Sequence, residues 1–371
     1  MSSYIAIQDT PKVRKWIRKR RGQGANVHSE SKPSTSHNCS AAVDLLRFFS
    51  LARFLDIDTF TDEERIHERE THWQLLGVGA CFEVRKALHP SSRSEFAVKT
   101  TANEVAGDGK LRAEHMKSLT MELRVMGHPQ LRSHRNVIDL LGIIWDSDHN
   151  RDPPVVPFLA VEFSRIGTMN SLVNQKTLSF SIKMRLCRDV AAGINALHAS
   201  NIIHADIKLQ NVLIFKDPNS ELVAKISDFS SALLSFDEGI RTVNIAKSRP
   251  WNAPETDCAM TILAKDIRKI DIFSYGMLFW RTILNGWLDV LSTEEMACNE
   301  VEGMKDRGTL VKDAVTSLRS VKNMDPAQTR NAVSVLESTL QLNPDKRIGR
   351  LDYITNLLAT PDHAHKTEYV T

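Results

Sequence analysis

The run His204-Ala205-Asp206-Ile207-Lys208-Leu209-Gln210-Asn211 holds three side chains suited to phosphoryl chemistry. Asp206 can accept the proton of an incoming hydroxyl, Lys208 can hold a transferring phosphoryl group, and Asn211 offers a neutral oxygen to a hard cation. Asp228 comes 17 residues after Asn211, at the end of the strand-like Lys225-Ile226-Ser227. A carboxylate there suits Mg²⁺, which prefers oxygen ligands and keeps waters, so two protein ligands suffice. Further upstream, Gly77-Val78-Gly79-Ala80-Cys81-Phe82-Glu83-Val84 reads as strand, glycine turn, strand. Glycines lack Cβ and let backbone N–H groups approach phosphates closely. Lys99, on the alternating Ala97-Val98-Lys99, can reach the α- and β-phosphates as a point charge. Each feature is weak in isolation: many strand turns carry GxG, and a single strand lysine is ordinarily solvated. A buried cationic lysine also needs a counter-charge. The helical stretch at 112–127 supplies Glu122, with Glu114 as a rival; Glu122 precedes the strand entry His134-Arg135-Asn136-Val137 by the more suitable interval.

These residues need elements to hold them. From Trp73 the texture is strand-like, with short runs at 73–77, 82–87 and 95–100 broken by Gly, Pro and Ser, and further strands at 137–145 and 156–163. Segments 101–111 and 146–155 carry Gly, Asp, Asn and Pro and are expected to be surface loops. After Gly167 the pattern turns helical. Ile182, Leu186, Val190, Ile194 and Leu197 form one stripe over 180–199, and helical segments recur at 268–285, 309–321 and 328–341. Strands first and helices after predict an α+β fold.

The flanks differ in character. Residues 1–40 read as a polar tail in which 12–21 hold seven basic residues in ten: a nuclear address, an anionic-surface patch or a solvated disordered run. Residues 41–60 place Leu45, Leu46, Phe49, Leu51 and Phe54 at helical spacing, predicting one amphipathic helix docked on the main domain; a membrane-surface helix is disfavoured, because its polar face carries both signs of charge. The expected organisation is an N-terminal extension over 1–65, a main domain over 66–358 divided at 163/164, and a short tail over 359–371.

The 371 residues suit two lobes plus an extension, and 42% hydrophobic content supports a sizeable core. A net charge of +3 gives no argument for nucleic acid. Five scattered cysteines without a CxxC pair point to reduced thiols rather than disulfides or zinc. No apolar run approaches the roughly 20 residues that span a bilayer, and the N-terminus has no signal-like apolar region. A cytoplasmic or nuclear protein is expected.

Taken in order, the motifs resemble the signature of eukaryotic-type protein kinases: glycine loop, AVK lysine, helix glutamate, HxDxKxxN, DFx and then APE at Ala253-Pro254-Glu255. The resemblance covers about residues 70–355. It implies a bilobal fold with a small antiparallel β-sheet lobe carrying one helix (66–163) and a mainly helical lobe (164–358). It implies ATP and Mg²⁺ as cofactors and a protein substrate that the sequence does not identify. Gly77, Val78, Gly79 and Lys99 would then hold phosphates, Lys99 with the help of Glu122. Val84, Ala97 and Leu213 would sandwich adenine. Val161-Glu162-Phe163 would enter the hinge, with Val161 as gatekeeper and Phe163 bonding adenine through its backbone. Asn211 and Asp228 would bind metal, and Asp206 and Lys208 would act on the hydroxyl and γ-phosphate. His204 and Phe229 would lie in an internal spine, Asp271 would be the buried aspartate of a large helix, and Arg347 would pair with Glu255.

Three letters depart from that pattern. Phe82 stands where a third loop glycine is usual. Ala205 replaces the arginine that neutralises an activation-segment phosphate, which predicts activity without such phosphorylation. Ser230 replaces the glycine after Asp228-Phe229. Lys208, with Ser248 placed to contact it, favours serine and threonine as acceptors; Arg249–Glu255 and Asp271–Gly276 look more like the tyrosine-kinase-like branch. A pseudokinase scaffold is the alternative, slightly favoured by the three departures. A small-molecule phosphotransferase of the aminoglycoside or choline type is disfavoured by Glu255 with Arg347.

Overall fold

The computed structural model describes residues 36–61, 73–79, 82–88, 94–101, 109–145, 157–175, 178–234, 240–242, 248–256, 261–263, 266–285, 294–321 and 324–359. The basic run at 12–21, most of the expected tail over 1–40, the insert at 146–155, most of that at 101–111, Ala80, Cys81 and nearly all of 359–371 lie outside the described residues. The chain forms two compact units, Met1–Ser164 with Asp228–Ser230, and Arg165–Ser227 with Ser231–Thr371.

The first unit contains α1 (Ser36–Phe54), β1 (Thr59–Thr61), β2 (Gln74–Val78), β3 (Phe82–Leu88), β4 (Glu95–Thr101), α2 (Gly109–Met126), β5 (Leu140–Trp145) and β6 (Phe158–Glu162). Its strands form one six-stranded sheet in the order β1-β5-β6-β4-β3-β2. β1 runs parallel to β5, and the remaining pairs are antiparallel. Alternation divides the side chains between two faces. One face packs Ala87, Val98, Ile144, Phe158 and Ala160 with Trp73, Phe96 and Leu141. The register sets Val84 opposite Lys99 and Ala97 opposite Val161, so these side chains share the other face with Phe82.

Helix α1 starts and ends earlier than expected; its end is set where Asp56 adopts φ 52° and the chain leaves the helix for β1. The buried face also differs from the sequence reading. Phe48 and Ala52 are the buried positions, whereas Leu46 and Phe54 are exposed. The face is set by α2, against which α1 packs; Phe49 meets Trp145 edge-to-face at 5.0 Å. Gly127, just after α2, permits this approach, since a Cβ there would lie 2.9 Å from Leu55 Cδ1.

The second unit contains α3 (Met169–Gln175), α4 (Phe180–Ala199), β7 (Ile202–Ile203), β8 (Val212–Lys216), β9 (Leu222–Ile226), β10 (Leu233–Leu234), β11 (Ile240–Thr242), β12 (Thr261–Leu263), α5 (Arg268–Ile283), α6 (Glu294–Asp306), α7 (Leu310–Arg319), α8 (Pro326–Thr339) and α9 (Asp352–Leu357). The strands pair as short antiparallel ribbons: β7 with β10, β8 with β9, and β11 with β12. Ser179 caps α4 by accepting from Ile182 N, and Leu186, Val190, Ile194 and Leu197 of its stripe are fully buried. Asp325 and Gln328 form a capping box on α8, with Pro326 at its first turn. Helix α5 is buried along nearly its whole length. A Cβ at Gly276 would fall 2.4 Å from Thr339 Oγ1, so glycine sets the spacing of α5 and α8. The α+β expectation therefore holds. Among the described residues no helix is long and apolar enough to cross a membrane.

Where α4 meets α5, the buried Lys183 donates to the Ile283 carbonyl at 2.8 Å. Burial lowers its pKa from 10.5 to about 8, opposed by the nearby Cys187. Between those values the unfolded chain binds more protons than the folded one, so this group makes stability rise with pH there. Lys183→Met should lack that contribution. Its stability relative to wild type should fall by on the order of 1–2 kcal/mol between pH 7 and pH 10.5, read by denaturant unfolding. A pH-independent difference would refute the assignment.

Candidate active site

In the first unit, the Lys99 Nζ is held by Glu122 and by Asp228 Oδ1, the latter at 3.0 Å. Lys99 and Glu122 are buried, at 8% and 1% exposure, while Glu114 is exposed on the same helix. Of the two helix glutamates, Glu122 is the one that meets Lys99. Burial disfavours the Lys99 charge, but the two carboxylates outweigh it and hold the ammonium above its ordinary pKa. Burial pushes Glu122 up, to about 7, against the pull of Lys99 and with a further push from Asp228. Burial would raise Asp228 too. There the Lys99 charge, with hydrogen bonds from Lys99 and from Ser230 Oγ at 3.0 Å, keeps the carboxyl well below the usual range. Asp228 remains ionised, and Lys99 is the cation it shares with Glu122.

On the same sheet face, Ala97 and Val161 are buried and Val84 is half-buried. Gly77, Val78 and Gly79 are exposed. Glu162 accepts the Asp139 amide at 2.8 Å through its side chain, and the Phe163 ring lies 5.0 Å from Lys86 Nζ. Phe82 is more than a missing glycine. Its ring is turned inward at 4% exposure, 5.1 Å from Lys99 Nζ and edge-on to His115 of α2 at 5.6 Å.

In the second unit, Asp206 Oδ2 receives Lys208 Nζ at 2.8 Å and Asn211 Nδ2 at 3.0 Å. Asp206 Oδ1 is buried and has no hydrogen-bond partner among the described residues. Lys208 Nζ also donates to Ser248 Oγ at 3.0 Å. Asn211 sits in a single helical turn, Leu209–Asn211, and its carbonyl accepts from Ser227 N and Oγ. Leu213, half-buried on β8, bridges to Thr168. His204 is fully buried and its Nε2 lies 3.1 Å from the Ser227 carbonyl; Phe229, in the first unit, is also fully buried.

The loop bearing Asp206 is shaped by Asp271 of α5. Its carboxylate accepts the backbone N–H groups of His204 and Ala205 and the ring of His198, each at 2.8 Å. Burial would raise its pKa, but those bonds and the neighbouring histidines hold it below the ordinary value. Ala205 adopts φ 62°, a conformation unfavourable for a residue with Cβ, and the Asp271 bond to its amide holds it there. Arg347 grips Glu255 with both terminal nitrogens, Nη2 at 2.8 Å, and donates to the carbonyls of Lys269, Gln341 and Leu342.

Two residues that the sequence did not single out belong to this frame. His198, in the last turn of α4, completes the Asp271 clamp. Lys305, buried on α6, donates to the carbonyls of Pro250 and Asn252 and to Glu302, fixing the backbone that precedes Glu255. Neither lies in a local motif, so nothing in its neighbouring letters marks it. Asp271→Asn replaces one acceptor oxygen by a donor, leaving a buried loop amide unpaired. The expected cost is about 2–4 kcal/mol of stability, seen as a lower unfolding midpoint; an unchanged midpoint would contradict the clamp.

A family model described as "Protein kinase domain" matches residues 71–361. Among curated proteins, the chain is 25% identical over 312 residues to "Extracellular signal-regulated kinase 2" of Dictyostelium discoideum, covering 78% of this chain and 79% of that protein. It is 29% identical over 250 residues to the "G-type lectin S-receptor-like serine/threonine-protein kinase LECRK1" of Oryza sativa subsp. indica, covering 65% of this chain and 28% of that protein. It is 29% identical over 223 residues to "Ephrin type-B receptor 5" of Gallus gallus, covering 57% and 20%. The chain thus spans less than a third of the length of the latter two. A match that takes in the segments of Lys99, Asp206, Asp228 and Arg347 within one continuous domain places this chain in the protein kinase superfamily.

Proposed function

We propose that the chain is an active protein kinase that transfers the γ-phosphate of ATP to serine and threonine hydroxyls, with 66–358 as its catalytic domain and 1–65 as an extension. The observation that carries this reading is the state of Asp206. One carboxylate oxygen is held by Lys208 and Asn211, while the other is buried with no partner among the described residues. An unsatisfied buried acceptor is costly to keep, and an incoming hydroxyl would satisfy it.

The donor set also suits magnesium. Asn211 spends its Nδ2 on Asp206, which leaves its Oδ1 without a protein partner among the described residues. Asp228 keeps 39% side-chain exposure, so its ionised carboxylate reaches solvent. Both are hard oxygen donors. Bound Mg²⁺ would supply charge neutralisation on the nucleotide phosphates. Lys99, fixed by Glu122, would position the α- and β-phosphates. Asp206 Oδ1 would orient the substrate hydroxyl and take its proton, and Lys208 would face the γ-phosphoryl group. The Lys208–Ser248 contact supports serine and threonine as acceptors. A pseudokinase scaffold that binds nucleotide weakly or not at all is the second reading, favoured by the Phe82 ring over Lys99.

Labelled ATP with Mg²⁺ and a basic protein substrate tests the first reading. Wild type should label the substrate and Lys99→Met should not. Asp206→Asn should lower turnover about 10²–10⁴-fold while nucleotide affinity stays within about twofold, because the aspartate acts on the transition state. Nucleotide binding without transfer by wild type would leave the scaffold reading. With Ala205 in place of an arginine, phosphatase-treated protein and Thr242→Ala should both stay active in the same assay. Inactivity of either would sink the proposed independence from activation-segment phosphorylation.

A further inference from the structure

We infer that Phe82 is a determinant of nucleotide affinity, its ring occupying the side of the Lys99 ammonium that the ATP phosphates must take. The inference rests on the kinase reading above and adds a ligand-dependent contribution from a residue outside the usual chemistry. Register puts Phe82 two residues from Val84 on β3, opposite Thr101, and therefore on the sheet face that carries Lys99. The Phe82 carbonyl accepts the Gly79 amide at 2.7 Å, which ties the strand end to the glycine turn. With 4% exposure and a centroid 5.1 Å from Nζ, the ring makes a cation–π contact.

The coordination of Lys99 then has little room left. An ammonium has three donors. Glu122 and Asp228 engage Nζ, and the ring covers a further side. A polyphosphate reaching this ammonium would have to move the ring. The ring also bears edge-on against His115, seven residues before Glu122 on α2. That separation is about two helical turns, so His115 and Glu122 share one face. Ring and ion pair thus rest on the same strip of α2, and displacing Phe82 disturbs the helix that carries the counter-charge of Lys99. The penalty falls on ligands with phosphates. Adenosine, which has none, has no call on Lys99.

The test is calorimetric titration of the full chain with Mg²⁺-ATP and separately with adenosine, using wild type, Phe82→Gly and Phe82→Leu. Phe82→Gly should bind Mg²⁺-ATP about tenfold more tightly, with adenosine changed less than about twofold. Phe82→Leu, apolar but without a ring quadrupole, should fall between wild type and glycine, and it reports alone if the glycine variant fails to fold. Unchanged or weaker ATP binding in the variants overturns the inference, as does an equal gain for both ligands. ATP binding that ignores residue 82 overturns only this inference; absence of nucleotide binding in all three proteins overturns it together with the kinase reading.

Discussion

A lysine ammonium inside a sheet face is costly unless an anion meets it there, and the cost of desolvating it is comparable to the net stability of a small domain. Lys99 meets two carboxylates, from a helix 23 residues on and from a segment 129 residues on. Strand β4, helix α2 and residues 228–230 are therefore registered against one another by a single charge. Loss of either carboxylate would weaken the compensation, and loss of Lys99 would leave the buried Glu122 carboxyl facing the Asp228 carboxylate with no cation between them. The six-stranded sheet supplies the face, but it is this charge that gives the face a direction.

The second unit uses buried charge in the same manner, on irregular backbone rather than on regular elements. Asp271 collects two amides and a histidine; Arg347 collects three carbonyls and a carboxylate; Lys305 collects two carbonyls and a glutamate. Helices and strands satisfy their own backbone groups, whereas the loops around Asp206 and before Glu255 cannot. Charged side chains from the buried helix α5, from α6 and from the segment after α8 take up that role. Ala205 shows the effect most plainly, held at a positive φ by a bond that its own side chain does not make.

Much of this was legible in the letters. Period-two alternation on β3 and β4 separates Val98 from Ala97 and Lys99, and the ordered motifs single out Asp206, Asn211 and Asp228 without giving their surroundings. The stripe on α4 matched its buried face because that helix meets a single core. Helix α1 was misread at Leu46 and Phe54 because several faces of an apolar-rich segment satisfy helical spacing, and only the position of α2 selects the one through Phe48 and Ala52. Phe82 was read as a lost glycine, since spacing gives the loss of flexibility but not the direction of a side chain. His198 and Lys305 act through partners 73 and 55 residues away, a separation at which no local pattern operates.

The short strand β1 has a consequence of another kind. Its pairing with β5 occupies backbone donors and acceptors that would otherwise form the bare border of the sheet. Unpaired strand borders template association with other chains, and proteins ordinarily cover or charge them. Here the cover comes from Thr59–Thr61, and α1 shields Trp145 beside it. A chain trimmed to begin at Trp73 would keep its site residues yet lose this cover, exposing the apolar run Leu140–Trp145 to self-association.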